Sequence, residues 1–183
     1  ARSCEGAVVQ GRRMQNGAMD AEAHGPALDA LVAGVRTRLE AADAPRVRLG
    51  AWIAPRRVLG VPRAARLSPV ASAWHLGAVL IGDDAAWLTG EVVRAGDPGR
   101  RGYTAASQRR RAELALAALQ GGFAEGEEVH VDWRPLDLAD ADAPVRVSES
   151  GLEIRWSPRA GWMPLQTYLD ERAALLIDPP AGA

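Results

Sequence analysis

The sequence predicts an α+β domain: an antiparallel sheet built on a central hairpin over residues 74–94, with two or three helices packed on it. Three observations carry this expectation. Trp74 to Arg94 holds two apolar runs on either side of Gly82-Asp83-Asp84, Leu28 to Leu39 repeats apolar side chains at helical spacing, and several other segments alternate at the period of strands.

In the central hairpin, Asp83 and Asp84 serve as turn residues, so Leu80 faces Trp87, Val79 faces Leu88 and His75 faces Val92. Both faces are mostly apolar, which places the unit inside a sheet and under other elements. This register puts Trp74 and Trp87 on one face. It puts His75 and Glu91 on opposite faces.

Residues 1–20 read as a disordered leader carrying the lone Cys4, with Met14 as a natural start; 21–178 read as one domain and 179–183 as a tail. Pro26 suits a first helical position, and Leu28, Leu31, Val32, Val35 and Leu39 follow on one stripe until Pro45. Arg46 to Ala54 makes a strand whose Val47, Leu49, Ala51 and Ile53 face inward. A proline-rich connection follows, with a short strand at Arg57 to Val61. After the hairpin and the loop from Ala95 to Gly102, Thr104 caps a helix that Gly121 and Gly122 stop near Gln120. The last third holds a strand at Glu128 to Trp133, a hairpin around Ser148-Glu149-Ser150-Gly151, and a helix from Pro164 to Ile177 carrying Leu165, Leu169, Leu175 and Leu176.

Composition excludes more than it identifies. The 183 residues suffice for a core without disulfides, and the net charge of -1 gives no pull toward nucleic acid or membrane. All 22 basic residues are arginines, which with abundant Ala, Gly and Pro fits a GC-rich bacterial genome. Without lysine there is no Schiff-base chemistry and no P-loop. A single cysteine rules out a disulfide framework and a cysteine zinc site. No stretch is apolar enough for a membrane span or a signal peptide, so a soluble cytoplasmic protein is expected.

Charge is segregated along the chain. From Ala44 through Gly82 there are six arginines, Arg46, Arg48, Arg56, Arg57, Arg63 and Arg66, and no acid; Pro98 through Ala112 adds five more, and the acids cluster from Ala124 to Trp156. Arginine forks match phosphate and carboxylate, so Arg57, Arg63, Arg66, Gly99, Arg100 and Arg101 are the candidate anion-binding residues. The competing expectation is that the two charge classes neutralise each other across the fold or across a dimer. The sharpest local feature is Gly96 to Gly102, where loop amides beside Arg100 and Arg101 before a helix would hold a phosphate, although Asp97-Pro98-Gly99 is also what a plain turn requires.

Other chemistry is weakly marked. Glu128, His130 and Asp132 alternate onto one strand face, and Asp137, Asp140 and Asp142 share a loop, but neither set has a metal-site spacing, and no metal or cofactor is expected. No catalytic residue is assigned. Glu91, beside Trp87 and Val93, reads as a strand glutamate paired with an arginine rather than as a proton donor. Trp156 and Trp162 beside Arg155 and Arg159 suggest an aromatic and arginine platform, with core packing as the plainer reading.

The expected function is that of a non-catalytic module binding a protein partner or a small anionic ligand, compatible with a homo-oligomer. A hydrolase or transferase acting on a phosphorylated substrate at the 96–102 loop is the alternative. Nucleic-acid binding is a third, which the near-neutral charge disfavours.

Overall fold

The computed structural model describes residues 3–58, 61–99 and 105–180, with side chains for 22–55, 57, 64–99 and 105–180. In chain order the elements are α1 (Ser3–Ala41), β1 (Val47–Ile53), β2 (Arg56–Val58), β3 (Val61–Arg63), β4 (Arg66–Leu76), β5 (Val79–Ile81), β6 (Ala86–Leu88), β7 (Glu91–Arg94), α2 (Ala106–Gln120), β8 (Glu128–Val131), β9 (Arg134–Pro135), β10 (Val145–Ser148), β11 (Gly151–Ile154), β12 (Met163–Pro164) and α3 (Leu165–Ile177). This is an α+β architecture with helices packed on sheets. Residues 45–135 make one unit; 1–44 with 136–183 make the other.

The 45–135 unit is a mixed sheet in the order β7, β8, β1, β4, β5, β6, β9, with β1 and β8 parallel and its other neighbours antiparallel. The two ends of that order are not independent strands. β7 continues β6 and β9 continues β8, and both ladders keep one register, Leu88 opposite Arg134 and Glu91 opposite Val131. The sheet therefore closes on itself as a five-stranded barrel, with the parallel β1–β8 pair as its seam.

The strand pairing corrects part of the central hairpin. Val79 does face Leu88 and Leu80 does face Trp87. His75, however, pairs with Leu80, and Val92 pairs with His130. The cause is a second turn hidden in the apolar run: Gly77, at φ +70, lets Leu76 turn directly back to Val79. Trp74 lies opposite Ile81 and Trp87 opposite Leu80, so the two tryptophans fall on opposite faces rather than on one. The short strand read at 57–61 is a small hairpin, β2 with β3.

Two cores use the two faces of the barrel wall. Leu49, Ala73 and Leu80, with Val47, Trp87 and Trp133 against them, fill one face. On the other, Leu114, Ala117 and Ala118 of α2 meet Leu67, Val93, Phe123, Val129 and Val131. Cross-strand partners share a face, so His130, opposite Leu49, and His75, opposite Leu80, both belong to the first. The α2 N-cap is Ala105, which gives no side-chain cap, and Gly121 ends the helix. Thr104 lies outside the described residues.

In the other unit, α1 runs back from Ala41 to Ser3 with Pro26 inside it, so Pro26 does not start the helix. The expected stripe is present, with Leu28, Val32, Val35 and Leu39 buried. α1 packs on α3 and β10, and α3 also covers the β10, β11, β12 sheet. The buried side of α3 is Leu165, Tyr168, Leu169 and Ala173, while Leu175 is exposed.

Candidate functional site

The arginines divide by how tightly acids hold them. Arg46 meets Asp83 at 2.7 Å, Arg146 meets Glu153 at 2.8 Å, Arg38 meets Asp170 at 2.9 Å, and Arg110 is bonded closely to Asp132. Arg48 takes Glu127 at 3.3 Å. Two of these pairs, Arg48 with Glu127 and Arg110 with Asp132, join the basic segments to the acidic one; Asp83 and Asp170 lie outside it. Arg94 and Arg111 are held more loosely: their contacts to Glu128 and Glu91 are both 3.9 Å, and their side chains are 75% and 73% exposed.

Of the predicted anion set, the described side chains are those of Arg57 and Arg66, together with the loop glycine Gly99. Arg57 is exposed on β2 opposite Pro62, whereas Arg66 is half-buried on β4 opposite Ile53. Arg63 lies on β3 opposite Arg56, with its side chain outside the described residues, where Arg100 and Arg101 also lie. Gly99 has φ +64, and its amide donates to Asp97 Oδ1 at 2.8 Å. That is the local turn Asp-Pro-Gly forms by itself, and it occupies an amide that a phosphate would need.

The same loop nevertheless borders a cleft. Between β7, residues 96–98 and the first half of α2 is an open cavity of about 570 Å³, lined by Arg94, Gly96, Asp97, Pro98, Gln108 and Arg111 among others. The two loosely held arginines are both among its lining residues.

A second constellation lies at the barrel wall. Glu128 and His130 are two apart on β8 and share a face; His75 arrives from the end of β4. The imidazoles stack edge to face with centroids 4.5 Å apart. One potential ligand atom from each of His75, Glu128 and His130 lies within 4.8 Å of the others. His75 is half-buried, His130 is fully buried, and the Glu128 side chain is 40% exposed. His75 Nε2 is 2.9 Å from the Gly77 carbonyl, which can only accept, so in the neutral ring Nε2 carries the proton and Nδ1 keeps its lone pair. His130 Nε2 is 3.3 Å from Glu128 Oε1, while its buried Nδ1 has no hydrogen-bond partner. Burial, and then the neighbouring His75, hold the His130 imidazole below its ordinary pKa against the opposing pull of Glu128.

Sequence spacing grouped Glu128 and His130 with Asp132. The structure turns Asp132 away at φ 54 onto Arg110 and supplies His75 instead. Asp137 and Asp140 accept backbone amides two residues on, at 2.8 and 3.0 Å, which makes them turn formers. Glu91 lies 3.5 Å from Arg110 and 3.9 Å from Arg111, the arginine-paired glutamate that its sequence context suggested. The indoles of the proposed platform face the chain's own cations: Arg146 sits 3.9 Å over Trp162 and Arg172 5.8 Å over Trp156.

Compared with protein-family models, with curated proteins and with solved structures, the chain matches none. Among the described residues no helix is long and apolar enough to cross a membrane.

Proposed function

We propose that the chain is a cytoplasmic binding module that takes a small anionic ligand, phosphorylated or carboxylated, in the cleft between β7 and α2. The observation that carries this reading is that Arg94 and Arg111, whose acidic partners stand 3.9 Å away, both line a cavity large enough for a small metabolite. A bound phosphate or carboxylate would replace these distant contacts with closer, bidentate ones, while Gln108 offers neutral hydrogen bonds. Arginines already held at 2.7–2.9 Å, such as Arg46 and Arg38, would have to give up good partners to do the same.

The test is thermal unfolding of the purified chain against phosphorylated metabolites, nucleotides and dicarboxylates at low and moderate salt. A ligand that binds only the folded state raises the midpoint, and at a hundred times its Kd it adds about 2.7 kcal/mol. The reading expects such a rise with at least one anion, lost in Arg111→Ala. No rise with any anion, or a rise that Arg111→Ala retains, would overturn it.

A further inference from the structure

We propose that His75, Glu128 and His130 form a binding site for a divalent transition metal of the zinc class, open on one side to solvent. The site does not rest on the cleft reading, although the two share the Arg94–Glu128 contact; it rests on the geometry of the barrel wall.

The donor set is two imidazole nitrogens and one carboxylate oxygen, with no thiolate. That combination suits borderline divalent ions such as zinc better than calcium or magnesium, which take oxygen shells. Donor atoms around a zinc ion stand about 2.0–2.2 Å from it. The three side chains already bring one donor each within 4.8 Å of the others, and the half-exposed Glu128 has room to adjust toward an ion. Its competing partner, Arg94 at 3.9 Å, offers little resistance.

Two details distinguish this trio from an ordinary pair of neighbouring histidines. The Gly77 carbonyl fixes the His75 proton on Nε2, leaving Nδ1 as a lone-pair donor. A backbone carbonyl holding the far side of an imidazole is the usual outer support of a metal-bound histidine. His130 is fully buried, with one ring nitrogen on the candidate ligand Glu128 and the other without a partner. Burying an unsatisfied ring nitrogen costs roughly 1–3 kcal/mol. A metal ion bound at Nδ1 would give this orphaned nitrogen its partner.

Rigidity follows from the elements. Glu128 and His130 sit two residues apart on one strand, and His75 stands beside the tight turn at Gly77, so the site is held by backbone pairing on β8 and on β4 with β5. Three protein ligands leave room in the coordination shell, and the exposed side of Glu128 is where solvent reaches it.

The experiment is titration of the untagged full chain with Zn²⁺ by calorimetry, and with Co²⁺ by visible absorption. The variants are His75→Gln and Glu128→Gln, chosen because both residues are partly exposed; circular dichroism and thermal unfolding establish that each folds. The proposal expects one equivalent of metal per chain and a Co²⁺ spectrum without a thiolate charge-transfer band. It also expects each folded variant to lose affinity by about a hundredfold or more, since outer-shell changes alone cost roughly ten- to a hundredfold. No binding at micromolar metal, a thiolate band implicating Cys4, or affinity unchanged in both variants would each overturn it. If one variant fails to fold, the other decides.

Discussion

Gly90 shows how much of this fold depends on single residues. It lies where β6 passes into β7, and a Cβ there would run into the Val131 carbonyl and the Asp132 backbone. Only a bare backbone lets the 86–94 strand lie against 128–135 at this point. Gly90→Ala should therefore destabilise the protein by about 2–3 kcal/mol, the scale of overpacking a filled site. Gly34, exposed within α1 with nothing within 4 Å of an added Cβ, should show the opposite sign, Gly34→Ala adding about 1 kcal/mol. Urea denaturation of both variants reads the two effects, and a neutral Gly90→Ala would contradict the close approach. The residue scale was also where the sequence was least legible. Gly77 sits between Leu76 and Ala78 with no polar punctuation, so its turn merges two strands into one apparent run. That one missed turn moved His75 from Val92 to Leu80, and with it the encounter with His130.

Elements were more legible where local chemistry decides them. The hairpin of β10 and β11 around Ser148-Glu149-Ser150-Gly151 follows from its turn residues, and Gly151 takes φ +107 there. In its register Arg146 stands opposite Glu153, with Nε donating to Oε2 at 2.9 Å. That hydrogen bond is the main reason the Glu153 carboxyl titrates below the usual 4.5. A carboxyl whose folded pKa is lowered stabilises the fold above its ordinary value, and the contribution fades as the pH falls through the lowered one. The side-chain carboxyl ¹³C shift of Glu153 should titrate with a midpoint under 4.5 and move upward in Arg146→Gln. An unchanged midpoint would contradict the pairing. The amphipathic stripe of α1 was equally legible from Leu28 to Leu39, because spacing alone defines a face. Its start was not, because a proline that suits a first turn can also lie inside a longer helix. The strands β9 and β12, only two residues each, carry no periodic signal; their partners create them.

At the scale of the whole molecule, the decisive feature is non-local. Alternation in 46–54 and 128–133 marks strands but does not say that β8 lies parallel to β1, nor that β9 returns to β6. Charge segregation was visible in sequence, yet its outcome depended on placement: Arg48 finds Glu127 and Arg110 finds Asp132, while Arg94 and Arg111 are left loosely held beside the cleft. The same closure places a β4 histidine against a β8 histidine, a juxtaposition that no local spacing could announce. Barrel closure through the β1–β8 seam is thus the claim on which the core around Leu49 and Leu80 and the histidine pair depend. The most direct measurement is the set of cross-strand nuclear Overhauser contacts in the isotopically labelled protein. The account predicts backbone contacts from β8 both to β7, Val92 against His130, and to β1, Arg48 against Val129 and Leu49 against His130, in the parallel pattern. Contacts from β8 to β7 without any to β1 would leave the sheet open and contradict it.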